Sequence, residues 1–295
     1  MSEPLVRRTD RNGVAVVELN RPERKTAIIA PRLDELASHL RSVSSDSEIG
    51  SVLLCGAGGA FCSGLDLTEY NADPAPAWLP TAPQSIRAAH VAIGSCPHPV
   101  VVALERYAIN GGAAFALAGD LIVTGTNAWL QVGEVRLGMN APMNLAWLVA
   151  RYPVATVLQI VLAGDRVTGP DLLRLGIAHE VVDDADVRAR SGALAEQIAA
   201  TPRGAAARLK AATLDLARHS PDTTSSQWFD RAAATSSAPT TIPAPGAGPP
   251  PPPPQQRNEA RGGPRKSPRK EVFFKKKEHP HKEQRGGVGG GGGWV

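Results

Sequence analysis

Four short, almost entirely apolar segments constrain the fold of this chain more than any other feature of its sequence. They show no clean alternation of apolar and polar residues, so each would be buried on both faces if it formed a β-strand. Their sequences are VAVVEL (14–19), SVLLC (51–55), PVVVALE (99–105) and LIVTG (121–125). Such strands, alternating with helices, are typical of a parallel sheet covered by helices, so the sequence predicts an α/β fold.

The stretches between and after these strands carry the helical signals. PRLDELASHLRSV opens with a proline and spaces its apolar residues by three and four, as an amphipathic helix does. Those residues are Leu33, Leu36, Ala37 and Leu40. Residues 70–84 are rich in proline and alanine and predict a surface excursion. From 142 to 219 the pattern is mostly helical, with one short strand predicted at HEVV (179–182).

The composition changes abruptly after about residue 234. Residues 1–234 carry 21 basic and 24 acidic side chains, whereas residues 235–295 carry 11 and 4, which together give the net charge of +4. The last segment is rich in proline, glycine and lysine and has almost no apolar periodicity, so we expect it to be disordered. Its basic run is a weak reason to expect nucleic-acid binding, because such runs are usually just solvated. We therefore predict a folded core at 1–190, a C-terminal helical region at 191–234 and a disordered tail at 235–295.

The cysteines and the lengths of the apolar segments bear on the cellular compartment. Cys55, Cys62 and Cys96 form neither a paired framework nor a metal-ligand spacing, which is typical of a reducing cytosol. A nucleophilic role for Cys62 or Ser63 is not predicted, because no histidine follows at a triad-like position. No segment reaches the roughly 18 apolar residues of a membrane span, and MSEPLVRRTD lacks a signal-peptide core. The sequence thus predicts a soluble cytoplasmic protein without a metal site.

Two glycine-containing segments could expose backbone amides, and each also has a purely structural interpretation. GAFCSGLDL places Gly64 in a turn, after which the amide of Leu65 could point into a cavity. Alternatively, the turn is a plain loop whose Asp66 caps the following helix. INGGAAF offers Gly111 and Gly112 at the start of a helix, where N–H groups lack partners within the helix. The alternative is a small-residue helix that packs closely.

A third segment, LQVGEVRLG, places Glu134 at the end of a short apolar strand beside a glycine. This acid is either solvated, paired with Arg136, or part of a site. Two converging amides form an oxyanion hole, in which each donor stabilises a developing oxyanion by about 3–4 kcal/mol. A carboxylate nearby can then move a proton next to a carbonyl group.

Four further polar residues near these segments have weaker claims to a functional role. We expect Glu105 and Arg106 to pair with each other rather than to reach a site. Asn140 and Asn144 could orient a substrate, but surface or helix-cap positions are the simpler expectation for them.

Five segments, in order along the chain, resemble motifs of the crotonase superfamily, the enoyl-CoA hydratase/isomerase family. They are LNRPER, AFCSGLDL, PVVVALERYAINGGAAFALAGD, EVRLG and RVTGPDLLRLGIAHEVV. The resemblance spans roughly residues 5–225 and implies an α/β crotonase-type spiral of ββα units with a C-terminal helical region. It further implies an acyl-CoA thioester substrate, a homotrimer or hexamer, and no cofactor, because CoA is part of the substrate.

The resemblance also implies roles for individual residues. In the family, two backbone amides bind the thioester oxygen, and the matching positions here are Leu65 and Gly111. Glu134 matches the second of two glutamates that hydratases of the family use to hold and activate water. The residues that the resemblance implies for contact with the CoA thioester are Arg24, Lys25, Ser63, Leu65, Asp66, Leu67, Thr68, Gly111 and Gly112.

Departures from the family pattern bear on the reaction. The first of the two glutamates is Ala114 here, so half of the water-activating pair is missing. A single acid at the Glu134 position is what the family's Δ3,Δ2-enoyl-CoA isomerases use. Arg106 and Asn110 replace glycines of the second turn, and the proline-rich tail replaces a final helix. We therefore predict an isomerase-type acyl-CoA enzyme. The alternatives are an enoyl-CoA hydratase that uses Glu134 with another polar group, and a CoA-binding but inactive relative.

Overall fold

The computed structural model describes residues 3–217, 226–227 and 230, so the predicted tail at 235–295 lies outside the described residues. The strands are β1 (Val6–Arg11), β2 (Val14–Leu19), β3 (Ser51–Gly56), β4 (Val100–Leu104), β5 (Tyr107–Ile109), β6 (Leu121–Gly125), β7 (Trp129–Gln131), β8 (Arg166–Thr168) and β9 (Glu180–Val182). The α-helices are α1 (Ala30–Ser44), α2 (Leu67–Tyr70), α3 (Ala82–Ser95), α4 (Gly111–Leu117), α5 (Pro142–Arg151), α6 (Val154–Ala163), α7 (Gly169–Arg174), α8 (Val187–Ala199) and α9 (Ala205–Ala217). Single 3₁₀ turns lie at Pro22–Arg24, Ala57–Gly59, Leu79–Thr81 and Glu134–Leu137.

A six-stranded sheet in the order β1-β2-β3-β4-β6-β9 forms the centre of the fold. Only β1 and β2 pair antiparallel, and the other neighbours are parallel. Successive side chains of β3 enter two different cores, because Val52 and Leu54 join the larger cluster with α1 and α3, whereas Leu53 joins the cluster against α8. Burial on both faces explains why these strands read as continuous apolar runs, and the predicted α/β fold is confirmed.

The predicted elements of this sheet agree closely with the structure. The four apolar segments coincide with β2, β3, β4 and β6 to within one residue at each end, and HEVV contains β9. The predicted amphipathic helix is α1, and its four spaced apolar residues are at most 1% exposed. The excursion at 70–84 is mostly exposed, as predicted.

Strand β1 was not predicted, because its sequence VRRTDR carries charges on both faces and only Val6 is buried. It lies at the edge of the sheet, where solvated charged side chains are tolerated. The available signal was the dipeptide Asn12-Gly13, whose positive φ angles of 50° and 74° form the tight hairpin turn to β2.

A second sheet of three strands, in the order β5-β7-β8, positions the segment that contains Gly111 next to the segment that contains Glu134. β5 is parallel to β7 and leads into α4, while β7 leads to Glu134. Neither β5 nor β8 was predicted from the sequence. Each of these strands has only three residues, which is too short for a recognisable pattern.

Two further observations concern the cysteines and the apolar character of the helices. The thiols of Cys55, Cys62 and Cys96 are free and buried. No helix in the described part of the chain combines the length and the apolar character needed to cross a bilayer. A cytoplasmic location and the region boundaries after residues 190 and 234 stay predictions.

Candidate active site

The first glycine turn, residues 62–65, is held against the end of β5. Cys62 forms a parallel bridge with Ala108, in which its N–H donates to the carbonyl of Tyr107 at 3.1 Å. Gly64 has a φ of 89°, and a Cβ atom there would lie 2.8 Å from the carbonyl oxygen of Ile109. Both the backbone conformation and the close approach therefore require glycine at this position.

The N–H of Leu65 points away from its backbone neighbours. The flanking residues make the hydrogen bonds to Ile28, since the Ile28 N–H donates to the Gly64 carbonyl at 2.7 Å and the Asp66 N–H donates to the Ile28 carbonyl at 3.0 Å. In a parallel bridge of this kind, the central residue, Leu65, directs its own N–H to the opposite side. That N–H has no hydrogen-bond acceptor among the described residues.

The second glycine turn, residues 109–112, packs directly on the first. A Cβ atom on Gly112 would lie 2.6 Å from the carbonyl oxygen of Cys62, so the backbones touch here as they do at Gly64. Gly111 begins α4, and its N–H lacks an acceptor within the described residues, as expected in the first turn of a helix. The two turns pack on each other, and each holds a backbone amide without an acceptor among the described residues.

Glu134 lies beside the second turn, although the structure corrects its predicted setting. β7 ends at Gln131, and Glu134 opens a 3₁₀ turn instead of ending the strand. The side chain is only 8% exposed, and its Oε1 accepts a hydrogen bond from Asn144 at 2.9 Å. Its Oε2 is buried and has no partner among the described residues. Burial raises the pKa of Glu134 to about 7, and the hydrogen bonds from its own backbone N–H and from Asn144 only partly offset this effect.

Asn144 was predicted at a surface or helix-cap position, and this prediction was wrong. It lies in the first turns of α5 with only 1% of its surface exposed. Its Nδ2 donates both to Glu134 and to the carbonyl oxygen of Asn110, the latter at 3.0 Å. Its Oδ1 is buried and unpartnered within the described residues. The sequence signal was its position as the single asparagine in the otherwise apolar helix start PMNLAWL.

Ala114 lies where the resemblance expects the first glutamate, and it is fully buried. Its N–H donates to the carbonyl oxygen of Asn110, the same oxygen that Asn144 reaches. The amide of Asn144 therefore lies next to position 114 and contacts Glu134 at the same time.

Asp66 caps the following helix, which was the structural alternative for this residue. It caps α2 by accepting a hydrogen bond from the Glu69 N–H at 3.2 Å, and it binds Arg21 and Arg24 at 2.8 and 2.9 Å. Burial would raise the pKa of Asp66, but the hydrogen bonds from Arg24, the Glu69 N–H and Arg21 outweigh it and lower that pKa to about 2. Asp66 is therefore a permanently ionised anchor for the turn.

The other residues expected to contact CoA surround this anchor. Arg24 is engaged by Asp66, whereas Lys25 is exposed and has a φ of 55°. The N–H of Ser63 donates to the Lys25 carbonyl at 3.2 Å. Leu67 and Thr68 begin α2, the first half-buried and the second exposed.

The expected ion pair between Glu105 and Arg106 is wrong, and so is the alternative in which Arg136 pairs with Glu134. Glu105 binds Arg188 at 2.8 Å and not Arg106. Arg136 binds Asp165, which leaves Glu134 without a charged partner among the described residues.

Arg32 is a site neighbour that the sequence analysis missed. It is fully buried on α1, where it donates to the Thr26 carbonyl and contacts Cys62 Sγ at 3.5 Å. Burial lowers its pKa. It lies one helical turn before Leu36, so the spacing of α1 puts it on the buried face. Arg32 thus ties the loop before α1 to the first glycine turn.

Comparisons with known proteins show which proteins this chain is similar to. A family model described as "Enoyl-CoA hydratase/isomerase" matches residues 9–233. The chain is 30% identical over 194 residues to 1,2-epoxyphenylacetyl-CoA isomerase of Escherichia coli K12, an alignment that covers 64% of this chain and 74% of the relative. It is also 30% identical over 213 residues to (E)-benzylidenesuccinyl-CoA hydratase of Thauera aromatica, with 69% and 80% covered.

The fold has solved counterparts as well. A crystal structure from Thermobifida fusca YX, described as an enoyl-CoA hydratase in complex with CoA, superimposes with a TM-score of 0.66 at 25% identity. The match covers 78% of this chain and 92% of that one. The expected resemblance in fold is therefore confirmed.

Proposed function

The chain belongs to the enoyl-CoA hydratase/isomerase family of acyl-CoA enzymes, and from that premise we propose that it moves a double bond within an enoyl-CoA thioester. The two relatives named above are an isomerase and a hydratase at the same 30% identity, so identity does not choose between the reactions. The choice has to come from the chemistry of the site.

A single observation carries the proposal: one buried carboxylate, with an oxygen that has no partner among the described residues, lies beside the second of two packed turns that each hold a backbone amide without an acceptor. Glu134 Oε2 has no partner, and the N–H groups of Leu65 and Gly111 have none, within the described residues. Of the nearby acids, Asp66 and Glu69 are bound by Arg21. Among the described residues, Glu134 differs from these acids in that it has no charged partner and its buried Oε2 is available for proton transfer.

The reaction follows from these groups. The N–H groups of Leu65 and Gly111 bind the thioester oxygen of a 3-enoyl-CoA and stabilise the charge that develops on it. Glu134 removes a proton from C2, the electron pair of that C–H bond forms the dienolate, and the protonated Glu134 returns the proton at C4. The product is the conjugated 2-enoyl-CoA. A base with a pKa of about 7 suits this task, because it is half ionised near neutral pH.

One observation favours water addition as a second candidate. Glu134 Oε2 and Asn144 Oδ1 are both buried acceptors without partners in the described part of the chain. A water molecule that donated to both could be activated by Glu134 and add to C3 of a 2-enoyl-CoA. Asn144 would then be the other polar group of the hydratase alternative. It can orient water but cannot transfer a proton, so isomerisation remains our first choice.

The experiment compares the protein with its Glu134→Gln variant on 3-enoyl-CoA and 2-enoyl-CoA esters of several chain lengths. Absorbance follows the conjugated 2-enoyl product, and mass spectrometry detects the 3-hydroxyacyl product. We expect isomerisation that falls by about 10²–10⁴-fold in the variant, as for loss of a general acid–base. Glu23→Gln, a change at an exposed glutamate, is the matched control.

Other results would replace the proposal. Water addition without isomerisation favours the hydratase candidate. Turnover of neither ester, with binding still seen by calorimetry, indicates a CoA-binding protein without this activity. The same titration tests Lys25, whose exposed amine we propose as a contact for CoA phosphates.

We also propose that the chain self-associates, in line with the trimer or hexamer that the resemblance implies. α6 exposes three large apolar side chains along one face, Val154, Leu158 and Leu162, at 65%, 47% and 67%. An apolar stripe of this kind favours burial against another surface. Sedimentation velocity at micromolar concentration measures the state, and a monomer would contradict the proposal.

A further inference from the structure

Glu134 and the second glycine turn are joined by a ring of hydrogen bonds, which we call the asparagine ring. Asn110 Oδ1 accepts from the Gly133 N–H at 2.9 Å, directly before Glu134. Asn144 Nδ2 donates to the Asn110 carbonyl at 3.0 Å and to Glu134 Oε1 at 2.9 Å. The ring therefore runs from Asn110 through Gly133 and Glu134 to Asn144 and back to Asn110.

We propose that Asn110 and Asn144 are positioning residues, which hold the Glu134 carboxylate at a fixed place relative to the Gly111 amide. This inference rests on the proposed function, because it assigns a purpose to holding those two groups together. Gly111 directly follows Asn110 in the chain, so the ring connects the acid to an amide donor through a single residue. A catalytic pair gains from such fixed geometry.

The backbone of Asn110 supports this role. Its φ of 49° and ψ of −115° lie in a region that side chains rarely adopt and that favours glycine. A non-glycine residue stays in such a strained conformation only where its surroundings hold it there. Here the side chain makes a hydrogen bond that glycine cannot make, since its Oδ1 accepts from the Gly133 N–H. The position thus carries strain together with a contact that aligns Glu134.

Asparagine also has the required chemistry at position 144. Its two N–H groups serve a carbonyl and a carboxylate at once, which aspartate, an acceptor when ionised, could not do. It is neutral, so it does not repel the ionised form of Glu134. Leucine has a similar size and shape but no donor, which makes Asn144→Leu a clean removal of both hydrogen bonds.

No charged group contacts Glu134 among the described residues, so its polar contacts are its own backbone N–H and the side chain of Asn144. Arg136, on the same 3₁₀ turn, binds Asp165. Arg151, at the far end of α5, donates to the carbonyl of Ala118 at 3.0 Å. The described residues of α4 and α6 contain no titratable side chain. Removing the Asn144 donor should therefore act on Glu134 without a competing charge.

The test is a ¹³C-carboxyl NMR titration of Glu134 in the whole protein, with Glu134→Gln used to assign its resonance. In Asn144→Leu we expect the midpoint to move upward by about one pH unit, because a hydrogen bond that favours the ionised form is lost. With a turnover substrate, kcat should fall about tenfold while KM changes little, and the acidic limb of the pH profile should move upward as well. Asn127→Leu, at an exposed asparagine that binds Asp184, is the control.

Asn110→Gly provides the second arm. Glycine adopts the Asn110 backbone conformation without strain, so this variant should fold at least as well as the wild type. It lacks the acceptor for the Gly133 N–H, and we expect kcat to fall severalfold at unchanged KM. Should Asn144→Leu fail to fold, this variant alone carries the test.

The proposal is overturned if the variants that fold, or Asn110→Gly alone, leave the Glu134 midpoint, kcat and the pH profile unchanged, since the asparagines then only fill space. Failure of the proposed function looks different. If the protein turns over no enoyl-CoA but the Glu134 midpoint still moves in Asn144→Leu, the asparagine ring is supported and the proposed reaction is rejected. The NMR titration needs no turnover, so it separates the two cases.

Discussion

The two glycine turns and the asparagine ring lie side by side, yet they are held together by different kinds of atoms. The turns are built from backbone contacts: Gly64 touches the Ile109 carbonyl, and Gly112 touches the Cys62 carbonyl. The asparagine ring is built from side-chain contacts, because Asn110 and Asn144 bind the Glu134 segment through their amide groups.

This difference predicts opposite sensitivities to mutation. At a backbone-built turn, the identity of an exposed side chain matters little, but one added Cβ atom displaces the donor. In the asparagine ring, loss of any one side-chain amide removes a hydrogen bond, whereas the backbone at Asn110 tolerates glycine. One candidate site therefore combines a half that depends on the absence of side chains with a half that depends on their presence.

The largest effect is expected from Gly64→Ala in the backbone-built half. The new Cβ atom would meet the Ile109 carbonyl at 2.8 Å on a backbone with a φ of 89°. The turn must shift, and with it the Leu65 N–H. Since removing one oxyanion donor costs about 10²–10³-fold in kcat, we expect a loss of that size in the isomerisation assay.

Leu65→Ala is the matched control, because it changes a side chain and keeps the N–H. It should keep kcat within about threefold of the wild type, with a modest loss of stability from the half-buried leucine. If Leu65→Ala loses as much activity as Gly64→Ala, the side chain and not the amide is what the site uses. The comparison between the two halves would then fail.

The same difference explains how much of this molecule could be predicted from its sequence. β2, β3, β4 and β6 were predicted because burial on both faces leaves an apolar run that needs no partner to recognise. The glycine turns were recognised because a positive φ or a backbone contact restricts the residue type at one position. Local constraints of this kind leave a visible mark in the sequence.

The asparagine ring could not be predicted in the same way. Asn144 lies 34 residues from Asn110 and 10 from Glu134, and their contact depends on how α5 packs on α4. No local pattern encodes that packing, so a helix-cap position was the natural interpretation of Asn144. Arg32 shows the same limit, because its spacing places it on a buried face but does not reveal its contact with Cys62.

A smaller effect, on stability, is expected from Glu134→Gln in the side-chain half. Burial raises the pKa of Glu134 in the folded protein to about 7 from an ordinary value of 4.5. Below pH 4.5 the residue is protonated in both the folded and unfolded states and costs nothing. Between pH 4.5 and 7 the unfolded state releases its proton first, so the folded state loses stability as pH rises, and above about 7 the loss is constant.

Glutamine carries no charge and escapes this loss. We therefore expect the free energy of unfolding of Glu134→Gln, relative to wild type, to increase by about 2–3 kcal/mol between pH 5 and pH 8. Urea unfolding at several pH values measures this, with Glu23→Gln as a control for general pH effects. A difference that stays constant with pH would mean that Glu134 is not destabilised by burial. A rising difference, together with lost isomerisation, would show that the side-chain half gives up stability to keep an acid with a free oxygen beside the second glycine turn.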